Sequence, residues 1–218
     1  MKIVTARKIL EANELAAQRN RNRFHAAGVF CINLLGSPGS GKTTLLEALL
    51  RHLDGPLAPG VIEGDIAGSV DAERIEALGV PVVQINTQGA CHLDAGMVEA
   101  AVADLHLQRL DLLLIENVGN LVCTAGFDLG EQLRIIVLST SEGHDKLIKY
   151  PAIFRGSQAV VVSKMDLLPH TDFDPRRVAE GLRVLSPEAA VFHVSAVREE
   201  GVAELARWVA ARASARSD

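Results

Sequence analysis

The stretch Gly36-Ser37-Pro38-Gly39-Ser40-Gly41-Lys42-Thr43, with Thr44 directly after it, decides how this chain is read. It lies between the apolar run from Val29 to Leu35 and the helix-like run from Leu45 to Leu53. Glycines let backbone N–H groups curl round phosphate oxygens, a lysine at this spacing reaches the terminal phosphates, and the threonine hydroxyl ligates magnesium. A helix starting at Gly41 adds the positive end of its dipole to the same anion site. The competing reading is a plain glycine turn between a strand and a helix, and it leaves the Lys-Thr pair unexplained. Gly36 to Thr44 are therefore the predicted nucleotide cradle, with Lys42 as a catalytic cation and Thr43 as a magnesium ligand.

Outward from this loop, β-type runs recur at Val29 to Leu35, Val61 to Glu63, Val80 to Ile85, Leu112 to Ile115, Ile135 to Leu138, Ala159 to Ser163 and Ala190 to Val194, with helical patterns between most of them. Continuous Val/Ile/Leu runs alternating with amphipathic helices predict an α/β fold: a mostly parallel sheet covered by helices on both faces, preceded by an N-terminal helix. The expected organisation is a helical segment over 1–27, one P-loop domain with its metal site over 28–213, and a flexible tail over 214–218. The small polar residues from Ala211 onward predict fraying.

The 218 residues carry a net charge of −5 with both signs interspersed. No basic stripe favours nucleic acid, and no polybasic or long apolar stretch favours a membrane. The N-terminus is polar and helix-like without an apolar core or cleavage signal, so a cytoplasmic protein is expected. Three widely spaced cysteines, Cys31, Cys91 and Cys123, argue against a disulfide framework and leave thiols for metal.

Leu112 to Ile115 is a buried-type strand closing on Glu116, and Ile62-Glu63-Gly64-Asp65 closes another on Asp65. Either carboxylate could hold a magnesium-bound water beside a γ-phosphate, so both are assigned catalytic and magnesium-binding roles; the alternative is a helix cap. Ser163-Lys164-Met165-Asp166 ends a further strand. There Asp166 accepts from the N1–H and N2–H₂ edge of guanine, whereas adenine would leave the charge unpaired. Ser195-Ala196 resembles the backbone clamp on the guanine oxygen in GTPases. GTP or GDP with magnesium is the expected nucleotide.

Gln88-Gly89-Ala90-Cys91-His92 and the loop carrying Cys123 both leave the nucleotide-bearing edge of the predicted sheet. Thiolates with an imidazole suit nickel or zinc. Three ligands leave a four-coordinate ion one short, and a symmetric dimer is one way to complete it. Read without further information, the same residues are two buried cysteines and a capping histidine. Cys31, inside the first strand, is expected in the core.

Taken together, Gly-Ser-Pro-Gly-Ser-Gly-Lys-Thr (36–43), Glu-Gly-Asp (63–65), Gly-Ala-Cys-His (89–92), Glu-Asn-Val-Gly-Asn-Leu-Val-Cys (116–123), Ser-Glu-Gly-His-Asp-Lys (141–146) and Lys-Tyr-Pro (149–151) resemble the HypB family of hydrogenase maturation GTPases, in order from Gly28 to about Gly201. The resemblance implies a SIMIBI-class P-loop GTPase that forms a nucleotide-dependent homodimer. It also implies nickel or zinc bound by Cys91, His92 and Cys123 at the subunit interface, a HypA-like nickel chaperone as partner, and nickel delivery to the large subunit of [NiFe]-hydrogenase.

The departures carry their own expectations. Ser163 stands where the family usually has Asn, which predicts a weaker guanine preference. Thr124 stands where many members have Pro, which predicts a looser loop, and His144 where many have Asp, which changes local charge. The Cys-rich and His-rich N-terminal motifs of some members are absent, which predicts handover at one site and not storage. Hydrolysis is expected to be slow, because Arg134 and Gln132, the nearest candidates to neutralise charge or orient water, read as surface residues. Three rivals remain at this stage. A urease-type nickel-delivery GTPase has a Cys-Pro-His motif, which Ala90-Cys91-His92 lacks. The others are a metal carrier with structural nucleotide and a small-molecule P-loop kinase.

Overall fold

The computed structural model describes residues 6–53, 57–66 and 68–215. Strands β1 (Phe30–Gly36), β2 (Pro59–Asp65), β3 (Val82–Asn86), β4 (Leu112–Glu116), β5 (Leu133–Ser139), β6 (Ala159–Ser163) and β7 (Ala190–His193) form a single sheet of order β3-β2-β4-β1-β5-β6-β7. Every neighbouring pair is parallel. Each predicted strand is present. Its ends move by one to a few residues because pairing with neighbours, and not composition, sets them: Val61 N–H, for example, bonds the Pro81 carbonyl, so β3 starts after that proline.

The helices are α1 (Ala6–Ala27), α2 (Lys42–His52), α3 (Val70–Glu76), α4 (Ala95–Ala101), α5 (Lys146–Lys149), α6 (Pro151–Phe154), α7 (Pro175–Leu185) and α8 (Val202–Ser214). Strand alternation sorts the apolar runs onto two faces. Ile32, Leu34, Leu112, Leu114, Ile135 and Val137 meet Leu45 and Leu49 of α2 and Leu205 and Val209 of α8. On the other face, Cys31, Ile62, Leu113 and Ile115 meet Phe24 of α1 and Val98 of α4, while Ile136, Leu138, Val160 and Val162 meet Phe154 of α6 and Leu182 of α7. Cys31 is in the core, as its place in the first strand predicts. Helix α8 continues through Ser214, so the polar residues from Ala211 are helical where fraying was expected; 216–218 lie outside the described residues.

Because all strands run the same way, their carboxyl ends share one edge, where ligands gather in such sheets. Central β1 lies between β4 and β5, so the loop after it, Gly36 to Gly41, faces the ends of both. No helix of the described residues is long and apolar enough to cross a membrane.

Candidate functional site

The loop after β1 is shaped by its glycines. Gly39 and Gly41 have φ of 71° and 90°, left-handed values that cost a residue with Cβ. A Cβ on Gly36 would come within 2.7 Å of the Val137 carbonyl oxygen. Gly41 is the N-cap of α2, so the helix itself starts at Lys42. Ser37 and Ser40 are buried, and Ser40 Oγ has no partner among protein atoms. Lys42 is 7% exposed and donates to the Ser37 carbonyl at 3.3 Å. Burial lowers its pKa while nearby Glu116 opposes the shift.

A cavity of 480 Å³ opens over this loop, lined by Pro38, Gly39, Thr43, Thr44, Glu63, Asp65 and Glu116 among others. Thr43 Oγ1 donates to Glu116 Oε1 at 2.8 Å, whereas Glu116 Oε2 is buried and unpartnered. Burial raises the Glu116 carboxyl to about 7, with Lys42 and the Thr43 bond opposing. A hydroxyl beside a buried carboxylate oxygen that lacks a donor is a fitting oxygen ligand set for a hard divalent cation. The Arg74 guanidinium lies 3.4 Å from Thr44 Oγ1 and pairs with Glu47. Asp65 accepts from the N–H groups of Ile66 and Gly68 at 2.7 and 2.9 Å, closing its loop; it does not cap α3, whose N-cap is Ser69.

Glu63, on β2, is a further carboxylate at this site. It is 2% exposed, pairs in register with Glu116 across the β2–β4 ladder, and has an unpartnered buried Oε2. Burial, then repulsion from Glu116 and Asp65, lifts its carboxyl to about 8. The available signal was parity, since a residue two before Asp65 in a strand shares its face.

On the opposite flank, Lys164 has φ of 56° and donates from Nζ to the Gly39 carbonyl at 2.7 Å. Ser163 Oγ donates to the Ser40 carbonyl at 2.6 Å, so this residue braces the phosphate loop. Ser195, fully buried, uses its hydroxyl to donate to Asp166 Oδ1 at 2.6 Å and so orients that carboxylate; Ala196 follows at the same turn. Gln132 and Arg134 are half-buried and not surface residues: Gln132 Oε1 accepts from Cys31 N–H, and Arg134 pairs with Glu131. Gln132 directly precedes β5 and Arg134 lies at its start, the end of the strand away from the phosphate loop.

Cys91, His92 and Cys123 come together, their ligand atoms all within 4.8 Å of one another, and this is the cluster of metal-ligating type found among the described residues. Cys91 Sγ is 3.7 Å from His92 Nδ1. The His92 ring stacks on Phe127 at 3.9 Å between centroids, and burial lowers its pKa, which favours the neutral form that binds metal. The Cys123 thiol is raised chiefly by its hydrogen bond with Cys91. All three residues are half-exposed, and neighbouring Val122 is 64% exposed, so the cluster opens outward.

Both halves of the cluster are braced. Asn120 Oδ1 accepts from the N–H groups of Val122 and Cys123 at 2.7 and 2.9 Å. Thr124, fully buried, donates to the Asn120 carbonyl at 2.5 Å and ties the loop that its sequence position predicted to be loose. His144 packs against Phe173 and accepts from Asp174 N–H, a structural link between the turn before α5 and the start of α7. Helix α1 holds both metal loops: Asn13 Oδ1 accepts from Ala95 N–H, Asn13 Nδ2 donates to the Asp128 carbonyl, and Asn20 donates to the carbonyls of Ala95 and Leu129. Sequence reading missed Asn13, Asn20 and Phe127, whose partners are distant along the chain, and Asn120, which bonds Val122, Cys123 and Thr124 within its own loop as asparagines in turns do.

The profile of the nucleotide-binding domain described as CobW/HypB/UreG matches residues 30–193. The chain is 45% identical to the hydrogenase/urease maturation factor HypB of Helicobacter hepaticus, over 93% of this chain and 84% of that one. It is 49% identical to the hydrogenase maturation factor HypB of Azotobacter chroococcum, over 95% and 68% respectively. Among solved structures, HypB from Helicobacter pylori in complex with nickel superimposes with a TM-score of 0.89 at 37% identity, covering 93% of this chain and 95% of that one.

Proposed function

Since the chain belongs to the HypB group of the CobW/HypB/UreG family, we propose that it is a GTP-hydrolysing nickel handler that assists nickel insertion into [NiFe]-hydrogenase. One observation carries the reading: a Cys-His-Cys cluster and a phosphate-loop cavity hang from the end of the same strand, β4, through Cys123 and Glu116. The nickel-bound HypB structure from Helicobacter pylori supports nickel over zinc as the cargo.

The phosphate loop's N–H groups and Lys42 bind the phosphates and offset charge that builds on the transferred group. Thr43, Glu116 and the Asp65 loop would hold magnesium, which would supply positive charge against that of the phosphates. Asp166, oriented by Ser195, accepts from the guanine edge. The half-buried Gln132 and Arg134 are tied up at the other end of β5, so neither is available to orient water, and turnover is slow.

Nickel binds as cargo at Cys91, His92 and Cys123. A second copy of the chain, joined face to face in the GTP state, would supply the missing ligand; a HypA-like chaperone and the hydrogenase large subunit are the proposed donor and acceptor, in the cytoplasm. The hydrogenase/urease name of the Helicobacter relative leaves a urease route as a second reading, although Ala90-Cys91-His92 lacks the proline of the urease-type GTPase.

Steady-state hydrolysis tests the nucleotide assignment. With magnesium present, kcat/KM for GTP is expected to exceed that for ATP by about 100-fold or more, because adenine leaves Asp166 unpaired. Equal turnover of the two nucleotides would sink the guanine reading.

A further inference from the structure

Strand parity separates two sets of residues at the carboxyl edge. Glu63 and Glu116 point to the α2 face with Lys42 and Thr43, whereas Gly64 and Asn117, each next in sequence, lie on the opposite face, where the metal loop packs. Leu93, the residue after His92, meets both. Its side chain is fully buried and covers Gly64 so closely that a Cβ there would lie 2.7 to 2.9 Å from Leu93 Cδ1, Cγ and Cδ2. Its N–H donates to Asn117 Oδ1 at 3.1 Å. Asn117 is 1% exposed and fixed in turn by its own N–H to the Leu34 carbonyl and by Nδ2 to Asn33 Oδ1.

The other end of the metal loop is anchored to the same strand ends. Thr87 N–H donates to the Asp65 carbonyl at 2.9 Å, and Thr87 closes the following turn by bonding the Ala90 carbonyl through Oγ1. Cys91 and His92 are thus suspended between a tether to Asp65 and a wedge between Gly64 and Asn117.

We infer that Leu93 is a positioning residue for His92: it rests on the backbone just behind the carboxylates of β2 and β4 and converts their displacement into displacement of the imidazole. The inference rests on the proposed GTP-controlled nickel site and assigns the coupling in it to one joint. The geometry favours transmission because the contact is backbone to packed side chain, with Gly64 allowing no slack and a buried hydrogen bond fixing the other side. Coupling of this kind is reciprocal, so bound nickel shifts nucleotide preference by the same factor as nucleotide shifts nickel affinity.

The test compares full-length wild type, Leu93→Ala and Leu93→Met for nickel affinity with GDP and with a non-hydrolysable GTP analogue. Wild type is expected to show a ratio of about fivefold or more between the two states. Leu93→Ala is expected to bring that ratio to within about twofold of unity with Lys42-dependent turnover retained; Leu93→Met, of similar volume, restores the ratio. A wild-type ratio that persists in Leu93→Ala overturns the joint and leaves the proposed function standing. A wild-type ratio of one overturns both. Should Leu93→Ala fold poorly, amide exchange on wild-type, metal-free protein decides: the joint requires the Leu93 N–H to change its protection between the two nucleotide states, and identical protection overturns it.

Discussion

Cys123→Ala is expected to weaken nickel binding by about 100-fold or more while GDP affinity stays within about threefold of wild type. The loss is large because Cys123 is the one ligand contributed by the β4 loop; without it Cys91 and His92, adjacent in sequence, must hold the ion alone. The loop itself survives the change, since the backbone N–H of Cys123 still donates to Asn120 and Thr124 still donates to the Asn120 carbonyl. Cys31→Ala is the control, because Cys31 sits in the core between α1 and the sheet and its loss should cost stability and leave nickel affinity unchanged. Calorimetric titration of both variants reads the difference. Retention of full affinity by Cys123→Ala would show that the cluster is not the nickel site.

Lys42→Ala is expected to lower GTP turnover by about 100- to 1000-fold, the usual scale for removing a preorganised charge from a phosphoryl or acyl transition state. A second effect adds to the first. Lys42 lowers the proton affinity of both Glu63 and Glu116, so without it the two carboxyls hold their protons more firmly at neutral pH and bind a divalent cation less well. Nickel affinity in the GDP state should remain near wild type, because the cluster does not touch Lys42. Phosphate-release assays beside nickel titration separate the two readouts. A chain that carries metal with an idle, structural nucleotide would show the same turnover in wild type and variant.

Most of the scaffold was legible because a strand buried on both faces writes itself as an unbroken apolar run. Leu112 to Ile115 and Ala159 to Val162 are such runs, and every one predicted is a strand of the parallel sheet. The phosphate loop was legible from spacing, since its glycines answer to local φ values and close approach. Cys91 with His92 was visible as a pair, but the meeting with Cys123 needed either the family resemblance or the fold, because nothing in local pattern joins residues of separate crossovers. Glu63 went unassigned although its parity with Asp65 was available. Asn117 and the asparagines of α1 were invisible: each does its work through a backbone group far along the chain. Thr124, expected to loosen its loop, ties it through its hydroxyl to the Asn120 carbonyl, and Ser163 donates to the Ser40 carbonyl and so braces the phosphate loop.

The central claim is that nucleotide state controls how this chain holds nickel. Titrating nickel into the wild-type protein bound to GDP, and then to a non-hydrolysable GTP analogue, while following affinity and molar mass together, tests it most directly. The account predicts a dimer in the GTP-analogue state and a nickel affinity that differs from the GDP state by about fivefold or more. Identical affinity and identical mass in the two states would contradict it.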